Sequence, residues 1–139
     1  MVDAPRSWRV QRAYAEALFD AGRSREAIEA YERSLHWAPQ PWFLRNSLSR
    51  RLRLLGNDSG AVGQLRTSLR QHPGQREATA ELVAALLGIG EYAEARRVAD
   101  SVIIVDGAPP IMVGLRKVAD SAMVLRAPPG TVRVGVRGR

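Results

Sequence analysis

The residues that could do chemistry are few. His36 and His72 are the only histidines, and neither has a second histidine at the i, i+4 spacing with which one helix face holds a metal ion. Both fall near the end of a predicted helix, where an imidazolium suits the negative pole, so a surface position is expected. Cysteine is absent, which removes disulfides, thiolate metal sites and sulfur nucleophiles. No serine stands in a GxSxG elbow, no GxxxxGK[ST] loop cradles phosphate, and no GxGxxG follows a strand. The segment GIGEYAEA at 88–95 is the nearest glycine cluster, and it lacks the third glycine. Glu77, Glu81, Glu91 and Glu94 are expected on solvated helix faces, because nothing marks a cleft around them. The expectation is a non-enzyme with no cofactor and no metal.

Composition narrows the class. The chain has 139 residues, enough for one core and too few for a second large domain. With 45% apolar and 25% charged residues it has the makeup of a folded globular protein. No apolar run has the length of a membrane span, and Asp3, Arg6, Arg9 and Arg12 interrupt any signal-peptide core, so cytoplasm is the default location. The net charge of +7 invites a nucleic-acid reading. That signal is weak, since 20 of the 21 basic residues are arginine, as a GC-rich genome would encode.

A period of 34 residues organises the chain. Gly22, Gly56 and Gly90 recur at that spacing, followed five residues later by Ala27, Ala61 and Ala95. Leu18, Leu52 and Leu86 obey the same shift, and Pro39 and Pro73 close the first two units. Three units result, at 8–41, 42–75 and 76–109. In the first, Val10, Ala13, Tyr14, Ala17, Leu18 and Ala21 recur at three and four, which predicts a helical apolar stripe ended by Gly22. Ile28, Tyr31, Leu35 and Ala38 predict a second helix from about Ser24, a candidate N-cap, to Pro39. The other units predict helices near 42–55, 59–71, 76–89 and 92–105.

This arrangement resembles the tetratricopeptide repeat family, over about three quarters of the chain. Ala27, Tyr31, Ser34 and Pro39 stand where the family places small, aromatic, small and proline residues, and Ala61, Leu65, Ser68 and Pro73 repeat them. The family's tryptophan position holds Gln11, Arg45 and Thr79 instead, and the third unit puts Val83, Ala99 and Val102 at signature positions. The resemblance implies an all-α, right-handed superhelical solenoid of about seven helices, spanning 1–126. In PPIMVGLRKVADSAMVLRAPPG, the stripe Ile111, Leu115, Val118, Ala122 and Leu125 predicts a capping helix at about 110–126. The basic tail 127–139 is expected to be flexible or ordered by a partner.

The resemblance also implies a concave groove built mainly by the first helices. Carried over by position, its lining is Arg9, Arg12, Glu16 and Phe19, then Phe43, Asn46, Arg50 and Arg53, then Glu77, Ala80, Ala84 and Leu87. Unit two has six basic residues against one acidic, and unit three has three against six. That segregation predicts an acidic partner segment gripped by Arg50 and Arg53. One subfamily clamps a partner's C-terminal carboxylate with lysine, asparagine and arginine. Here Arg12 alone fits, while Glu16, Ser47, Glu77 and Glu81 fill other clamp positions, so that ligand is not expected. The expected function is a protein-interaction scaffold. The alternative is a structural subunit that self-associates by repeat stacking, and behind both stands nucleic-acid binding through unit two and the tail.

Overall fold

The computed structural model describes residues 7–125 and 128–130. Seven helices follow one another among the described residues: α1 Trp8–Asp20, α2 Ser24–Trp37, α3 Trp42–Leu54, α4 Asp58–Gln71, α5 Arg76–Gly88, α6 Tyr92–Asp106 and α7 Pro110–Leu125. Consecutive helices pack on each other, forming an all-α helical-repeat solenoid.

The three hairpin bends are built alike. Gly22, Gly56 and Gly90 have φ of 77°, 78° and 83°, the left-handed region where a side chain is strained. Each donates its N–H to the residue three back, at 3.0, 2.9 and 3.2 Å, to Phe19, Arg53 and Leu87. The next residue reaches five back, from Arg23 to Leu18, Asn57 to Leu52 and Glu91 to Leu86, at 2.8, 2.8 and 2.9 Å. These two bonds form a Schellman motif, which satisfies the last carbonyls of the first helix and reverses the chain. Ser24 opens α2 as its first residue, and Arg23 holds the cap position. Asn57 caps α4 by accepting from the Gly60 N–H at 2.9 Å.

Small residues let the paired helices approach. Ala15, Ala27, Ala61, Ala95 and Ala99 are fully buried, and Tyr31, Leu44, Leu65 and Leu86 fill the space between them. Two equivalent serines tie the open end of each hairpin. Ser34 donates to the Trp8 carbonyl at 2.8 Å, and Ser68 to the Trp42 carbonyl at 3.0 Å. Val102 occupies this place in the third unit and has no hydroxyl to donate.

The capping helix is present as α7, packed on α6 and α5. Its buried residues are Met112, Leu115, Ala119 and Ala122, so the apolar stripe is rotated from the expected one, leaving Ile111 and Leu125 exposed. Arg116 reaches Asp100 at 2.8 Å and Arg96 reaches Asp120 at 3.2 Å, stitching α6 to α7. After α7 the chain returns to the third bend. The Gly130 N–H donates to the Gly88 carbonyl at 3.1 Å, and the Tyr92 hydroxyl to the Pro128 carbonyl at 3.1 Å. Apart from Pro128–Gly130, the expected basic tail lies outside the described residues.

Candidate partner-binding face

The first helices of the units lie side by side, joined by side chains from the expected groove. The Trp8 ring meets the edge of Phe43 at 5.4 Å between centroids. Glu16 on α1 accepts from the Arg51 Nε on α3 at 3.0 Å and from the Tyr31 hydroxyl. Burial first, and then this hydrogen bond, push the Tyr31 phenol up to about 12. Arg51 also lies 3.3 Å from Asp20 and 5.4 Å from the centre of the Phe19 ring. Its hydrogen bond to Glu16 raises the guanidinium pKa further. Asn46 donates to Gln75 at 2.7 Å and accepts from Ser68 at 2.7 Å, linking α3 to α4 and to the cap residue that precedes α5.

The arginines of unit two are not a free basic patch. The Arg50 Nε lies 2.8 Å from Glu81, and its second arm is 3.4 Å from Glu77. Arg53 pairs with Asp58 at 3.3 Å, and Arg66 with Glu94 at 2.6 Å. Arg45 donates to Gln64 at 2.9 Å. Partial burial, followed by repulsion from Arg70, lowers the Arg45 pKa. The excess positive charge of unit two therefore meets acids of units one and three within the same chain. Each such pair is partly screened by solvent and contributes modestly, but together they set the register between neighbouring units.

Two expectations are corrected here. Glu81 was expected on a solvated surface, yet it is only 4% exposed and is neutralised by Arg50. Leu87 was expected to line the groove with Ala80 and Ala84, yet all three are buried. The reason is the position of α5, which packs on α4, α6 and α7 and buries nine of its 13 residues. Of the third-unit groove positions, Ala80, Ala84 and Leu87 thus belong to the core, and Glu77 alone stays exposed.

What remains open is the first unit. A depression of about 380 Å³ is lined by Trp8, Arg9, Arg12, Ala13 and Glu16. Arg9 stacks its guanidinium 4.6 Å from the centre of the Trp8 ring, and Arg12 comes within hydrogen-bonding reach of the Tyr31 hydroxyl. Neither Arg9 nor Arg12 pairs with a carboxylate among the described residues. Of the expected lining, Phe19 is half-buried against Tyr31 at 5.9 Å, and Phe43 is held by Trp8 and Trp42. Sequence reasoning missed Arg51 and Trp8. Arg51 was signalled by its place, since a lone arginine falls on the otherwise apolar stripe of α3 that faces α1.

Trp42 stacks on His72 at 4.4 Å at the open end of the second hairpin, whereas Trp37 is half-exposed. Among the described residues no group of three or more acids and histidines converges as metal ligands. No described helix is long and apolar enough to cross a membrane. No protein-family model matches the chain, and no curated protein matches it.

Proposed function

We propose that this protein is a non-catalytic interaction scaffold that holds a partner segment along its first helices. The observation that carries the reading is the pair of guanidinium groups, Arg9 and Arg12, which meet no carboxylate among the described residues and stand beside an aromatic wall in an open depression. A planar fork over a ring can receive a carboxylate while the ring and Ala13 take an apolar side chain, which suits an acidic amphipathic segment. The acidic grip expected at Arg50 and Arg53 moves to unit one, because the carboxylates of Glu81, Glu77 and Asp58 already occupy the former. The same pairing weakens the nucleic-acid reading, since phosphate binding through unit two would have to displace these acids. The resemblance to tetratricopeptide repeats agrees with a binding role and does not name the partner.

An array of synthetic 15-residue peptides, probed with the purified chain, tests this. Acidic amphipathic peptides are retained by the wild type and released by Arg12→Glu, while basic ones are ignored. Binding that is indifferent to Arg12, or an array on which nothing is retained, would overturn the reading.

A further inference from the structure

The repeat identifies one helix face that is covered in two units and open to solvent in the first among the described residues. Val10, Tyr14, Ala17 and Ala21 follow at four, three and four residues, so they form one stripe along α1. Thirty-four residues on, the same stripe of α3 is Leu44, Leu48, Arg51 and Leu55, and in α5 it is Ala78, Leu82, Ala85 and Ile89. In α3 this face is turned to the preceding unit, as the bonds from Arg51 back to Glu16 and Asp20 show, and α5 packs on α4 of the unit before it, although Leu55, at the C-terminal end of the stripe, stays 50% exposed. There Leu44, Leu48, Ala78, Leu82 and Ala85 are buried. On α1 the equivalent residues are open, with Val10 46% and Tyr14 49% exposed and Ala17 and Ala21 exposed beside them.

We propose that this stripe is a twofold interface, and that its occupant is α1 of a second copy packed antiparallel. The stripe is complementary to itself. Its two large residues lie toward the N-terminal half and its two alanines toward the C-terminal half. Reversing one copy sets Tyr14 against the partner copy's Ala17, and Val10 against the partner copy's Ala21, so that each ridge meets a gap.

The charges along one edge select the same orientation. Arg9 stands near the N-terminal end of α1 without a carboxylate partner among the described residues, and Asp20, 70% exposed although 3.3 Å from Arg51 of its own chain, closes the other end. They share a flank of the stripe and are about 16 Å apart along the axis, so antiparallel packing brings Arg9 of each copy to Asp20 of the other. Parallel twofold packing would set this flank of each copy on opposite sides of the seam and forgo the pairing. One helix pair buries less than the roughly 1,200 Å² of a stable interface, so the dimer is weak and reversible. It is also closed, because an isologous contact consumes the stripe of both copies.

Sedimentation velocity of the full chain, from about 1 µM to about 1 mM, tests the inference. The wild type is expected to pass from monomer to dimer and stop there. Tyr14→Glu should weaken the dimer by about tenfold or more at unchanged helix content. Asp20→Arg should weaken it less, and Arg9→Asp combined with Asp20→Arg should restore it, because the swapped pair is again complementary. If Tyr14→Glu fails to fold, the charge-swap pair alone decides. A wild type that stays monomeric, a dimer insensitive to these changes, or open-ended growth with concentration would overturn the proposal. Open-ended growth would place the contact on the α6–α7 end instead.

Discussion

Helices α1 and α5 occupy the same place in the 34-residue plan, and their surroundings are opposite. Helix α5 is enclosed by α4, α6 and α7 and buries residues all round, including the acidic residue Glu81. Helix α1 buries only Gln11, Ala15 and Leu18, and it shows solvent an apolar stripe on one side and, on another, two arginines that meet no carboxylate among the described residues. Equivalent sequence positions thus do different work according to where the unit sits in the stack. Around α5 most groove and stripe positions become core. On α1 the equivalent positions stay open to solvent among the described residues.

The largest test of this contrast uses one repeat position in three copies. Leu82→Ala and Leu48→Ala should each cost about 2–5 kcal/mol in urea unfolding, as buried leucines do. Tyr14→Ala, measured at low protein concentration, should stay within about 0.5 kcal/mol, because its ring is half in water. Equal costs at Tyr14 and Leu82 would break the comparison.

A smaller effect separates the bends. Gly22→Ala should cost about 1–2 kcal/mol from its left-handed backbone alone, since nothing lies within 4 Å of the added methyl. Gly90→Ala should cost more, because that methyl would sit 2.8 Å from the Pro129 ring and displace the returning chain. Calorimetry showing the two variants equal would mean that the Pro128–Gly130 contact adds nothing to the third unit.

The smallest effect concerns what holds α1 in place of surrounding helices. Tyr31→Phe removes the bond to Glu16 and should cost about 1 kcal/mol at neutral pH. The phenol ionises at about 10 in an unfolded chain and at about 12 in the folded one. A raised pKa means that the unfolded state loses its proton first, so this stabilisation is intact below about pH 10 and fades as pH rises toward 12. Denaturant titrations across that window should fall more steeply for the wild type than for Tyr31→Phe. Parallel slopes would detach the phenol from the stability of the first unit.

Much of the fold was legible before any coordinates. Gly22, Gly56 and Gly90 announced three bends because only a residue without a side chain adopts that backbone cheaply, and spacing at three and four announced the helices between them. The face each stripe would meet was not legible. Val10 and Leu44 read alike, and a preceding unit covers one and not the other. The groove was half legible: Arg9, Arg12 and Glu16 border the open depression, whereas Leu87 is buried and Arg50 is spoken for by Glu81 and Glu77.

Local rules account for the part that the chain settled on its own. Backbone sterics, helix period and side-chain volume act over a few residues, so bends, helices and small-residue contacts can be read in order along the sequence. Charge neutralisation and solvent exposure depend on residues about one unit away or more, as with Arg50 and Glu81 or Arg51 and Glu16. Stacking alone brought these groups together, and so stacking alone decided which cations met a carboxylate inside the molecule and which stayed open to solvent.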